Sequence, residues 1–190
     1  AEEAHGRGKI ELCAFCRVPT PTSYEEIVKQ LQKLMEANNA HAFHQLARYY
    51  YNGEFGVQRN LAKANELFLR AGELGFAEAY FNLGCSYLSG VGVEVDKKKA
   101  INFYELAAMG GDLNARFNLG CVEREAGNIA RSYKHFILSA KTGHKESLDK
   151  VKAGFMSGHV TKYEYANTLQ AYQKIQDEMK SDNRDKADAF

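Results

Sequence analysis

Apolar residues recur along most of this chain three and four positions apart, the spacing that lines one face of an α-helix. The first run is Ile27, Leu31, Leu34 and Met35. It follows Ser23 and Glu26, a capping-box pair whose side chains satisfy the orphan N–H groups of a first turn. This predicts an amphipathic helix over 23–37. Two helices follow in each of three successive units. In the first unit, Ala42, Leu46, Ala47 and Tyr50 precede Asn52-Gly53, and after the loop Glu54-Phe55-Gly56-Val57, Asn60 caps a helix carrying Ala64, Leu67, Phe68 and Ala71. The second unit matches it with Ala79, Leu83, Gly84 and Tyr87, the loop Gly90-Val91-Gly92-Val93, the cap Asp96, then Ala100, Phe103, Tyr104 and Ala107.

Leu46, Leu83 and Leu119 stand 37 and 36 residues apart, and a fixed period in that range marks a repeat architecture. The expected fold is all-α, an α-solenoid of stacked helix pairs with helical caps at both ends. It spans 22–180, with the cap helix 23–37, repeats at 40–76, 77–112 and 113–144, and C-terminal helices over 145–180. The third repeat lacks four residues between its helices, where the turn Ala126-Gly127-Asn128 replaces the longer loop. Residues 1–21, holding Gly6, Gly8, Pro19 and Pro21, read as irregular. Thr161 with Glu164 caps a last helix reaching about Lys180, and the charged end, 181–190, reads as frayed.

Ala79 to Val93, Asp96 to Ala100 and Ala107 to Gly111 together resemble the Sel1-like repeat, a relative of the tetratricopeptide repeat with a longer inter-helix loop. The resemblance extends over roughly 40–143. Repeat one departs from it by Ala47 in place of Gly and by one extra loop residue. It implies a solenoid whose concave surface is lined by the first helix of each pair.

That geometry commits Leu83, Gly84 and Tyr87 to packing and leaves another stripe for a partner. The candidate groove residues are His44, Arg48, Tyr51, Glu78, Phe81, Cys85, Leu88, Phe117, Cys121 and Arg124, with His41, Asn52, Ser89, Asn114, Glu125, Glu146, Asp149 and Met156 on the same stripe. The groove is expected to be aromatic and apolar in its middle, basic at one end and acidic at the other, which suits a short peptide or a partner helix. Packing between repeats competes with ligand contact at Phe81 and Phe117, and Asn82 and Asn118 are expected to hydrogen-bond between helices.

Composition narrows the function classes. Twenty-five basic against 24 acidic residues give a net charge of +1, which argues against a nucleic-acid-wrapping surface. No apolar run approaches the ~18 residues of a membrane span. No signal peptide is visible at Ala1-Glu2-Glu3, and with the unpaired thiols this points to a cytoplasmic or nuclear setting. No Ser/His/Asp arrangement is legible, and Gly90-Val91-Gly92 joins two helices instead of cradling a phosphate. The expectation is a non-enzymatic scaffold or adaptor without a cofactor, binding a protein or peptide.

Cys13 and Cys16 supply the one chemical motif. Two thiolates two residues apart can share a zinc ion that needs four ligands. With Arg17 following, the pair resembles the last Cys pair of a RING finger, Ala14 standing in for the usual Pro. That resemblance implies zinc only in a longer parent, and an alternative role as the substrate-recruiting portion of a RING-type ubiquitin ligase. His41 and His44, three apart on one helix, lack a third convincing ligand.

Overall fold

The computed structural model describes residues 23–187. Within them nine α-helices follow one another, with no strand: α1 (Tyr24–Glu36), α2 (Ala40–Asn52), α3 (Leu61–Glu73), α4 (Ala77–Ser89), α5 (Lys97–Met109), α6 (Leu113–Glu125), α7 (Ile129–Lys141), α8 (Lys145–Met156) and α9 (Lys162–Ala187). Each helix packs on the next in the chain, and α9 lies against both α7 and α8. The fold is the expected all-α solenoid.

Apart from α4 and α7, whose N-caps Phe76 and Asn128 make no such bond, the helices begin where a side chain can satisfy their first N–H groups. Ser23 accepts from Glu26 N, Asn60 from Lys63 N, Asp96 from Lys99 N and Asp112 from Ala115 N. At α9 the exchange is reciprocal: Thr161 N donates to Glu164 and Glu164 N donates to the Thr161 hydroxyl. The final helix runs to Ala187, past the Lys180 end and into the stretch expected to fray. No Gly or Pro interrupts it, so nothing local stops propagation.

The core forms where small residues of a first helix meet a ring from the second. Ala47 and Phe68, Gly84 and Tyr104, and Gly120 and Phe136 are all buried. Loops and termini latch each pair to its neighbour. Asn65 Nδ2 donates to the Val91 carbonyl at 2.9 Å, and Arg116 Nη2 to the Ala108 carbonyl at 2.8 Å. Ser139 Oγ instead donates to the Leu113 carbonyl at 3.0 Å inside repeat three. The first two bonds fix the rotation between repeats and so the direction in which the first helices face.

Candidate functional site

The facing surfaces of α2 and α4 enclose a concave pocket of about 350 Å3, lined by Arg48, Tyr51, Asn52, Phe68, Glu78, Asn82 and Cys85. Four of the predicted groove residues, Arg48, Tyr51, Glu78 and Cys85, therefore meet at one place. Repeat register brings them together: the 37-residue offset sets α4 beside α2, so residues from the last turns of one helix and the first turns of the other share a wall.

His44 is corrected. It belongs to the packing beneath the pocket and not to its surface, being 2% exposed. Its ring sits 4.5 Å from that of Phe76 and 5.5 Å from that of Phe68. Asn82 Nδ2 lies 3.2 Å from His44 Nε2, a hydrogen bond between amide and imidazole. Nδ1 is buried without a hydrogen-bond partner among the described residues. Burial first, then the nearby charge of Arg48, pushes the His44 pKa down to about 4. The residue is a neutral, interior anchor for Asn82.

The remaining predicted residues divide by contact. Phe81, Cys85 and Leu88 lean on the cluster around Tyr104, with the Phe81 and Tyr104 ring centres 6.0 Å apart. Phe117 and Cys121 lean on the cluster around Tyr133 and Phe136. Arg124 is exposed, its guanidinium 6.0 Å over the Tyr133 ring. The Tyr104 hydroxyl donates to Cys85 Sγ at 3.5 Å. Burial pushes the thiols of both Cys85 and Cys121 up, so neither is held as a nucleophilic thiolate.

Carboxylates stand at the N-terminal ends of successive first helices. Glu78 stands in the first turn of α4, Asp112 at the N-cap of α6 and Glu146 in the first turn of α8. Burial raises the Asp112 carboxyl, and the negative charge of Glu78 adds to it. Arg48 and Arg124 lie instead in the C-terminal halves of α2 and α6.

Asn82 and Phe68 were not assigned to the pocket from sequence. Asn82 was assigned to bonding between helices; it makes that bond and lines the cavity as well. Cys13 and Cys16 lie outside the described residues. Among the described residues no group of three or more His, Cys, Asp and Glu could hold a metal ion, and no helix is long and apolar enough to cross a membrane.

A stack of helix pairs with a pocketed concave face defines an α-solenoid repeat protein. Residues 40–76 and 77–112 match the family model of the Sel1 repeat, so the two pairs that build the pocket are Sel1 repeats. The chain is 32% identical over 115 residues to the ERAD-associated E3 ubiquitin-protein ligase component HRD3B of Arabidopsis thaliana, covering 58% of this chain and 17% of that protein. It is 31% identical over 96 residues to human protein sel-1 homolog 2, covering 50% of this chain and 14% of that one. The chain thus spans less than a fifth of these curated relatives. Among solved structures, a protective antigen of uropathogenic Escherichia coli with an SLR fold superposes with a TM-score of 0.66 at 30% identity, over 80% of this chain and 33% of that one. A Sel1 repeat protein from Oxalobacter formigenes gives 0.67 at 23% identity, over 80% and 64%, and shows the shared fold.

Proposed function

We propose that this chain is a non-enzymatic interaction module that holds a peptide or partner protein on its concave face, with the pocket between α2 and α4 as the anchor point. The observation that carries this reading is the convergence of Arg48, Tyr51, Asn52, Glu78, Asn82 and Cys85 on one cavity. Arg48 and Glu78 are exposed there, and Arg48 makes no ion pair among the described residues. The Arg48 guanidinium can therefore bond a ligand without giving up an ion pair. Sel1 repeats mediate protein–protein interaction, which favours a protein occupant over a small molecule.

The test is quantitative affinity capture with the parent chain and with Tyr51→Ala and Asn52→Ala. A partner recovered by the parent and lost by both variants supports the reading, because truncation at an interface anchor costs about 2 kcal/mol or more. A partner retained equally by all three places the binding surface elsewhere.

The likeness to a ubiquitin-ligase component favours a second reading, in which the module recruits a substrate or subunit for such a ligase. Zinc at Cys13 and Cys16 belongs to this reading and requires further ligands in a longer parent. Co-purification with a ubiquitin ligase tests recruitment, and Cys/His ligands at RING spacing ahead of Ala1 test the zinc site.

A further inference from the structure

Glu78 and Arg48 are the two charged residues that line the concave pocket. The Glu78 side chain is 55% exposed, and the nearest basic atom to it is His44 Nε2 at 3.7 Å. That imidazole is neutral near pH 7, since burial drives its pKa down to about 4, so it offers the Glu78 carboxylate no compensating charge. Asp112 and Glu146 continue the row of carboxylates toward the next repeats. The Glu146 carboxylate lies 3.5 Å from His144, the N-cap of α8. The phenol of Tyr51 and the ring of Phe68 line the same cavity. Arg48 enters it from the C-terminal half of α2.

We propose that this pocket takes one lysine or arginine side chain of a bound peptide, its charge on Glu78 and its methylene stem along Tyr51. This rests on the groove reading above and names the chemistry of the occupant. Charge complementarity places a cation at Glu78, the carboxylate that lines the pocket, and away from Arg48. An aromatic wall adds attraction for a cation. Arg48 repels a second cation and so admits one basic residue at a defined register, the repulsive element that specificity requires. A pocket of about 350 Å3 matches a single long side chain.

A random-peptide phage library panned against the full chain tests this, with enriched peptides labelled and their affinities read by fluorescence anisotropy. Enriched peptides should carry a Lys or Arg. Glu78→Gln should weaken them about threefold to tenfold, as should replacing the basic residue by Gln. The two losses should be non-additive in a double-mutant cycle, and Arg48→Gln should leave binding intact or tighten it. Acidic enriched peptides that depend on Arg48 and ignore Glu78 would overturn the cation assignment while keeping the groove. Peptides indifferent to both variants, or no enrichment, would overturn the groove as well.

Discussion

Gly84 of α4 lies flat against the ring of Tyr104 on α5, so close that a Cβ added to Gly84 would collide with the ring's Cδ1 and Cε1 edge. Tyr104 is 1% exposed and has nowhere to swing. The same relation links Gly120 to Phe136 in the next repeat. Gly84→Ala should therefore force α4 and α5 apart and cost about 1–3 kcal/mol, the usual penalty of overpacking. Urea titration of the parent and variant measures it, and coincident midpoints would mean the helices are not held at this separation. Repeat one already carries a methyl at the equivalent position, Ala47, so Ala47→Gly should not reproduce the effect.

His44 should make stability pH-dependent. Its folded pKa of about 4 lies below the unfolded value of 6.5, so between these values the unfolded chain binds more protons. The stabilising contribution is complete above pH 6.5 and falls away as pH drops toward 4. The total change is about 3 kcal/mol, at 1.36 kcal/mol per pKa unit. Burial also pushes His135 down, which adds loss of the same sign. Unfolding free energies at several pH values, compared between the parent and His44→Gln, isolate the His44 share. Equal slopes for the two proteins would refute the burial argument.

Binding and stability should separate along the groove. Phe81 and Phe117 pack on the ring clusters around Tyr104 and Phe136, so Phe81→Ala and Phe117→Ala should each cost about 2–3 kcal/mol of stability, below the full-burial value because both rings are partly exposed. Arg48 sits on the surface of the same groove, and Arg48→Ala should change stability by no more than about 0.5 kcal/mol. Thermal melts of the three variants decide this, and an Arg48→Ala protein as damaged as Phe81→Ala would place Arg48 in the fold and not in the site.

These contrasts explain which parts of the molecule were legible in the sequence. The repeat was legible because its packing letters, Ala79, Leu83, Gly84 and Tyr87, are fixed by one geometry and recur. Arg48, Tyr51, Glu78 and Cys85 followed from helical spacing once that register was known. His44 did not follow, because spacing assigns a residue to a stripe but does not say how far neighbouring helices close over it. Phe76, the residue before α4, supplies the ring that covers His44, and nothing in the repeat pattern marks it. The row of carboxylates at the helix N-termini was hidden for a related reason. It depends on how Glu78, Asp112 and Glu146 line up across three helices, which a linear period does not display.

Gly92 and Gly56 stand at corresponding points of the two inter-helix loops, with φ of 72° in both, yet they should respond differently to substitution. A left-handed φ costs a residue with a Cβ about 1–2 kcal/mol, and Gly56→Ala pays that alone, since a Cβ there meets nothing within 4 Å among the described residues. At Gly92 the added Cβ would also press on Leu61, 2.8 Å from its carbonyl carbon and 2.9 Å from its oxygen. Leu61 opens α3, so this contact is backbone against backbone between consecutive repeats, where no rotamer change gives relief. Val91 of the same loop accepts the hydrogen bond from Asn65, and displacing the loop would strain that bond too. Gly92→Ala should therefore lose at least about 1 kcal/mol more than Gly56→Ala, the excess measuring the contact between repeats. Equal losses from the two variants in parallel denaturant titrations would mean that the second loop does not brace the first repeat.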